Sequence, residues 1–424
     1  MTTTNQVSLD NVPVQPNAQT TPNAILHHKP NLLSLEAALP IAPLKIIALP
    51  SAQHFAERIN SYLVAFRKSH HNKKAKGDPA FHGYIETNYL SYAKTPRFGT
   101  GESKAILSES VRGKDLFILV DVFNHSITYE AFGFTNHMSP DDHFQDLKRV
   151  IAACNGKARR VNVIMPYLYE GRQDRRNGRE SLDCACALRE LTEMGVSNFI
   201  TFDAHDPRVQ NAAPLKGFDN FIPPYQFIKA LLDYEKELVV DKNNLVIISP
   251  DRGGLDRAIY FATVLGVDVG MFYKRRNYSV IIKGSNPIVA HEYLGESVDG
   301  KDVIIIDDMI SSGNSIIDTA RHLKRQNARK VFMCCTFGLF TEGLDAFDAA
   351  YEENLFQRII TTDLAYLPRE LYSRPYFIEA QMSKFVASLI DFMNHDLSLN
   401  NVMTPTDKIH EIVNRFNNRL DIDL

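Results

Sequence analysis

The sequence predicts an α/β protein of two lobes, each a mostly parallel sheet flanked by helices. Three observations carry that expectation. At 424 residues the chain exceeds the usual reach of a single hydrophobic core. Its 44% hydrophobic content is enough for a substantial interior. From Leu44 onward, short apolar runs alternate with amphipathic stretches, the order in which strands and covering helices build a parallel sheet.

Residues 1–40 form an N-terminal tail in this reading. Its first thirty or so positions are rich in Thr, Asn, Gln and Pro and lack apolar periodicity, so they bury too little surface to offset ordering entropy, and disorder is expected. The first lobe is assigned to 41–206. A buried strand at 44–49 precedes a helix with Phe55, Ile59, Tyr62, Leu63 and Phe66 on one face; a strand at 116–121, a helix carrying Phe144, Leu147 and Ile151, and a strand at 161–165 follow. The second lobe, 207–376, repeats the logic with strands at 245–249, 268–272, 303–306 and 330–337 and helices at 255–265 and 315–324. Residues 377–394 have helical apolar spacing and are predicted to pack back on the first lobe. The extension 395–424 carries Ile409, Ile412, Val413 and Phe416 at the spacing of one more amphipathic helix.

A formal charge of −3 supplies no chain-wide basic field for nucleic acid, so any anion site is local. No run reaches the roughly 18 apolar residues that span a bilayer, and the N-terminus lacks a basic start followed by an apolar stretch, which predicts a cytoplasmic protein without a membrane partner. Cys154, Cys184, Cys186, Cys334 and Cys335 sit in apolar periodic segments without Cys-x-x-Cys spacing and read as reduced packing residues.

The sharpest chemical signal runs from Val303 to Arg325. An apolar strand ends at Asp307 and Asp308, crosses a small-residue loop and enters a helix at Ser315. Backbone amides and hydroxyls at a helix N-terminus carry partial positive charge, so Ser311, Ser312, Gly313, Asn314 and Ser315 can wrap a phosphate monoester. Adjacent aspartates repel and lose hydration at a strand end, which is sensible when a cation or a sugar faces them. Residues 166–182 place Arg172, Arg175, Arg176 and Arg179 around Gln173 and Asp174, a set of fixed cations suited to polyphosphate. Asp203 and His205 stand two residues apart at a strand end, on one face, and can hold Mg²⁺ with its waters. Asp251 follows another strand just before Gly253 and Gly254, which let a helix start close to a ligand. Lys274, Arg275 and Arg276 end a further strand as three consecutive cations, costly unless phosphate charge comes between them.

An apolar strand, Asp-Asp, two residues and a small phosphate loop resembles the phosphoribosyl diphosphate motif shared by type I phosphoribosyltransferases and ribose-phosphate pyrophosphokinases. The Arg-Gln-Asp and Asp-x-His segments are similar to the pyrophosphokinases in particular. The resemblance spans about Leu44 to Asp391. It implies two type I phosphoribosyltransferase-like lobes with ATP between them, nucleotide sites completed by neighbouring subunits, and a homo-oligomer, dimer or hexamer. It implies transfer of the diphosphoryl group of ATP to the C1 hydroxyl of ribose 5-phosphate with Mg²⁺ as cofactor. Carried onto this chain, it gives catalysis to Lys274 and Arg276, ATP contact to Arg172, Gln173 and Asp174, and adenine contact to Thr100, Gly101 and Glu102. Magnesium falls to His205 and Asp251, and ribose 5-phosphate to Arg276, Asp307, Asp308 and residues 311–315.

This sequence departs from the family pattern at Thr100, where the family has Asp, and at Asn314, a glycine position that asparagine fills when the backbone is left-handed. After His205 the chain lacks the family's usual ending, a stretch tied to subunit contacts. A nucleobase phosphoribosyltransferase and a non-catalytic regulatory subunit of the same family are the two other readings.

Overall fold

The computed structural model describes residues 38–71, 83–176, 178–276, 288–399 and 405–422. Residues 1–37 of the predicted tail lie outside them, and of Lys274, Arg275 and Arg276 only the backbone is described.

The first half runs β1 (Leu44–Ala48), α1 (Gln53–His71), β2 (Leu90–Lys94), β3 (Ile106–Leu107), β4 (Asp115–Leu119), the hairpin β5 (Thr128–Ala131) and β6 (Phe134–His137), α2 (Pro140–Cys154), β7 (Arg160–Ile164), α3 (Asp183–Glu193), β8 (Asn198–Phe202) and β9 (Gly217–Phe221). Then come α4 (Pro224–Tyr234), β10 (Leu245–Ser249), α5 (Leu255–Leu265), β11 (Asp268–Arg276), β12 (Ile288–Leu294), β13 (Asp302–Ile310), α6 (Asn314–Arg325), β14 (Val331–Gly338), α7 (Asp345–Glu352), β15 (Arg358–Thr362) and β16 (Phe377–Ala380). Helices α8 (Ser383–Asn394) and α9 (Thr406–Asn417) follow.

Two seven-stranded sheets result, ordered β3-β2-β1-β4-β7-β8-β9 and β12-β11-β10-β13-β14-β15-β16. Each is parallel except for its first edge strand. Central strands such as β4 and β10 are buried at every residue, because helices cover both faces of a parallel sheet. The two sheets share one topology, and the match extends to side chains. Leu44 pairs with Asp115 as Leu245 pairs with Asp302. Arg160 forks onto Asp115 through Nε at 2.9 Å and Nη2 at 2.8 Å, and Arg329 onto Asp302 at 2.8 and 2.6 Å.

Two expectations are corrected. The first lobe does not stop at 206, because β9 pairs in parallel with β8 and completes the first sheet. Its half-buried sequence GFDNF carries too weak an apolar pattern to announce an edge strand. The predicted helix at 377–394 is also shorter: Phe377–Ala380 is β16, with Ile378 and Ala380 turned inward, and helix begins at Ser383. Helix α8 lies against α1, with Val386, Ala387, Leu389 and Ile390 in the first lobe's core. In the opposite direction α4, which follows β9, packs with Ile360, Ile378 and Ala380 of the second lobe, and α9 closes over α4 and α5 through Ile409 and Ile412. The lobes thus exchange helices.

Helix α8 is pinned by a buried cation. Arg67 Nε donates to Asp391 at 2.8 Å and Nη2 to Asn394 at 2.7 Å, with its guanidinium 4.3 Å from the Tyr84 ring centre. Removing one partner of such a buried pair costs about 3–5 kcal/mol.

Candidate active site

The candidate residues gather where the C-terminal strand ends of the two sheets meet. Strand β13 does not stop at the aspartates but continues to Ile310, with Asp307 opposite Cys335 and Met309 opposite Phe337. The chain turns at Gly313, whose φ of +85° is left-handed, and α6 begins at Asn314. A Cβ on Gly313 would meet the buried Phe347 ring at 2.1 Å. The expectation of left-handed backbone at Asn314 is therefore corrected: the glycine requirement sits one residue earlier, and Asn314 and Ser315 are ordinary first-turn residues of α6. Ser311 is held to the next loop by Thr341, whose hydroxyl lies 3.3 Å from its own.

From the first lobe, the segment after β8 reaches the C-terminal end of β13. Asp203 has a left-handed φ of +44°, and its buried carboxylate accepts from Arg257 Nε at 2.8 Å and from the Thr336 hydroxyl at 2.6 Å, both in the second lobe. His205 Nδ1 stands 2.7 Å from Asp308 Oδ2. That bond raises the imidazole's affinity for a proton, against the opposing effect of burial. Burial pushes Asp203 upward despite Arg257. Burial, together with the charges of Asp308 and Asp251, lifts the Asp307 carboxyl well above the usual carboxylate range. Asp308 falls below it because, against its own burial, His205 and Arg257 favour the charged form.

Asp251 Oδ1 accepts from the amides of Gly253 at 2.8 Å and Gly254 at 3.2 Å, closing the turn ahead of α5. Strand β11 lies beside β10 and runs past its last paired residue, Ser249, so the backbone of Lys274 and Arg276 extends beyond the same end of the sheet. Arg172 is exposed, and both it and Asp174 act on His205 through their fields. Gln173 Nε2 donates to Ser181 O at 2.9 Å and so closes the arginine segment on itself. The Arg-Gln-Asp, Asp-x-His and Asp-Asp segments are thus brought together.

The loop of Thr100, Gly101 and Glu102 is held elsewhere. Thr100 donates to Glu102 at 3.0 Å, Phe132 of the hairpin donates to Gly99 O at 3.0 Å, and Arg97 binds Asp146 of α2 at 2.8 Å. Thr100, Gly101 and Glu102 share no hydrogen bond or ion pair with Arg172, Gln173 or Asp174.

Among the described residues no group of three or more His, Cys, Asp or Glu side chains is arranged as a ready metal cage. The donor set nevertheless fits a hard divalent cation. Asp203, Asp307 and Asp308 act on a single guanidinium, Arg257, and Asp307 is raised by burial first and then by the charges of Asp308 and Asp251. Oxygen donors of this kind suit Mg²⁺. Sequence reasoning missed Arg257 and Thr336: the first looks like a helix-surface arginine after a Gly-Gly turn, the second like filler in an apolar strand.

A family model described as the N-terminal domain of ribose phosphate pyrophosphokinase matches residues 44–195, and a phosphoribosyl transferase domain model matches 226–352. A ribose-phosphate pyrophosphokinase of Chlorobaculum tepidum is 28% identical over 324 residues, 76% of this chain and 83% of that protein. One from Ralstonia nicotianae is 30% identical, covering 65% of this chain and 78% of its own length. The fold matches the crystal structure of phosphoribosylpyrophosphate synthetase from Mycobacterium smegmatis with a TM-score of 0.63 at 20% identity, over 83% of this chain and 99% of that one. With both halves matched in order and such relatives covered over most of their length, the chain belongs to the ribose-phosphate pyrophosphokinase family.

Proposed function

We propose that the protein transfers the diphosphoryl group of ATP to the C1 hydroxyl of ribose 5-phosphate, giving 5-phosphoribosyl 1-diphosphate and AMP. One observation carries this reading: the His205–Asp308 and Asp203–Arg257 bonds join the Asp-x-His segment of one lobe to the paired aspartates and the helix after the Gly-Gly turn of the other. A donor and an acceptor that both bear phosphate need that juxtaposition.

The amides at 313–315 and the hydroxyls of Ser311, Ser312 and Ser315 grip the 5-phosphate, fixing one end of the sugar. Asp307 and Asp308 then meet the ribose hydroxyls, and the C1 oxygen is aligned with the β-phosphorus, an arrangement that removes most of the orientational entropy from the barrier. Arg172, Gln173 and Asp174 hold the triphosphate. Lys274 and Arg276 act where charge accumulates on the transferring group. Mg²⁺, held by His205 and Asp251, supplies charge neutralisation on the phosphates when bound. Thr100, Gly101 and Glu102 contact adenine in a neighbouring subunit of a homo-oligomer, dimer or hexamer. No described helix is long and apolar enough to cross a membrane, and a cytoplasmic site of action suits the two substrates.

The test incubates purified protein with magnesium, ATP and ribose 5-phosphate and follows phosphorus NMR. AMP and 1-diphosphorylated ribose should appear together in equal amounts. Turnover no greater than that of a Lys274→Ala control overturns the reading, and pyrophosphate release from diphosphorylated ribose plus a nucleobase would replace it with nucleobase transfer.

A further inference from the structure

The duplicated topology supplies an internal comparison. Asp203 directly follows β8 in the first sheet, and Asp363 directly follows β15, the strand in the same place in the second. Each aspartate is clasped across the lobe boundary by an arginine from the helix after the other lobe's first strand. Arg257 of α5 holds Asp203 through Nε at 2.8 Å and Nη2 at 2.7 Å, and Arg58 of α1 holds Asp363 through Nη1 at 3.1 Å. The two clasps differ in their surroundings. Counting five and six residues on from the equivalent Asp115 and Asp302, the first lobe has Val120 and Asp121 where the second has Asp307 and Asp308. Arg257 Nη1 is 4.0 Å from Asp307, whereas the second carboxylate bound by Arg58 is Glu379 of edge strand β16, at 3.1 Å.

We propose that Arg257 is a positioning residue of the phosphoryl-transfer reaction: from the second lobe it fixes Asp203 of the first, and thereby holds His205 against Asp308. The proposal rests on the function given above. Only one residue separates Asp203 from His205, so the backbone direction imposed at Asp203 decides where the imidazole arrives. Asp203 sits at a φ of +44°, a conformation that non-glycine residues hold when their surroundings impose it. Its side chain is held by Arg257 and Thr336, while its amide donates to Phe221 O at 2.8 Å and the next amide to Asn220 Oδ1 at 3.0 Å. A fork of two N–H groups on one carboxylate oxygen fixes direction as well as charge, which a lysine in the same place does only in part.

The paired clasps separate positioning from plain stability. Arg257→Met and Arg58→Met each remove one clasp at the lobe boundary and are compared by melting temperature, kcat and KM. Arg257→Met is expected to lose roughly 10- to 100-fold in kcat, the usual effect of removing an outer partner of a site residue, with KM for ribose 5-phosphate within about threefold. Arg58→Met should melt lower yet keep kcat within about threefold, and Arg257→Lys should recover part of the lost rate. If Arg257→Met does not fold, Asp203→Asn takes its place with the same expectation. A kcat loss no greater than that of Arg58→Met overturns the proposal. A second readout needs no turnover. The His205 Nδ1–H resonance of histidine-labelled protein, identified by its disappearance in His205→Ala, should persist in Arg58→Met and vanish in Arg257→Met. Its persistence in Arg257→Met, or its absence from the wild type, overturns the proposal, whereas a wild type without turnover sinks the proposed function and leaves this readout standing.

Discussion

Replacing Gly313 by alanine tests the phosphate loop most directly. The residue holds φ at +85°, where an L side chain costs roughly 1–2 kcal/mol. Its new Cβ would lie 2.1 Å from Phe347 Cζ and 2.6 Å from Cε2. Phe347 is fully buried and stacked edge-on against Phe340 at 5.2 Å, so the ring cannot withdraw without disturbing the second core. Overpacking of that kind costs about 1–3 kcal/mol, for a total of about 2–5 kcal/mol. At roughly 2–4 °C per kcal/mol for a lobe of this size, scanning calorimetry should show a melting temperature lower by about 4–20 °C. Displacement of the α6 N-terminus by about 1 Å should also cut kcat/KM for ribose 5-phosphate by about 100-fold. Asn314→Gly is the companion: in first-turn helical backbone it should lower stability by no more than about 1 kcal/mol. A Gly313→Ala protein that melts within a degree of wild type with unchanged kcat/KM, or an Asn314→Gly protein that is more stable than wild type, would show that the left-handed turn has been put at the wrong residue.

Other expectations follow from the same structure. Lys274→Ala should lower kcat by about 10³- to 10⁵-fold, or about 4–7 kcal/mol of barrier, with the melting temperature little changed; a loss below tenfold in single-turnover assays would remove the catalytic assignment. Asp121 is fully buried, and burial pushes its carboxyl up to about 7 although the Phe123 and Tyr366 amides favour its charge. A folded-state value above the unfolded one means that the native protein binds the extra proton, so stability is lost as pH rises between about 4 and 7 and levels off above that. The denaturant-measured stability of wild type relative to Asp121→Asn should therefore fall across that window, and a flat or rising difference would contradict the assignment. Ile412→Ala removes a fully buried side chain between α9 and helices α4 and α5 and should cost about 2–5 kcal/mol in urea unfolding, whereas an effect below 0.5 kcal/mol would mean that α9 is not part of the second lobe's core.

The sequence made the candidate site legible wherever unusual residues concentrate at short spacing. Asp307 and Asp308 before a run of small residues, or four arginines within eight positions, have few uses other than charge handling. Two kinds of feature escaped. Edge strands carry half the pattern of a central one: β9 has only Phe221 fully buried, and the four residues of β16 merge with the apolar spacing of α8 to imitate one long helix. Long-range ion pairs leave no local trace either. Arg257 finds Asp203 from 54 residues away and Thr336 finds it from 133, so neither partnership can be read from the spacing of either residue. The left-handed turn was misplaced by one residue for a related reason, since which of two neighbours must be glycine depends on where Phe347 packs.

One topology used twice yields one phosphate loop, and the contacts of the unused copy explain why. After β13 the chain turns tightly at Gly313 and enters α6 at once. After β4 the corresponding loop satisfies itself: Asn124 Nδ2 donates to Ser51 O at 2.8 Å, Asn124 Oδ1 accepts from the Ser126 amide at 3.2 Å, and His143 binds Asn124 O at 2.9 Å. The chain then enters the β5–β6 hairpin instead of a helix, so no helix N-terminus forms there. Asp121, in the place of Asp308, takes its cross-lobe bond from the Tyr366 amide at 2.6 Å where Asp308 takes one from an imidazole. An amide cannot change protonation or turn a second nitrogen toward a metal, whereas an imidazole can do both. The same boundary contact is thus structural at one end of the pseudo-symmetric pair and chemically competent at the other. In the proposed reaction the first lobe accordingly contributes cations and His205 across the boundary to the site of the second.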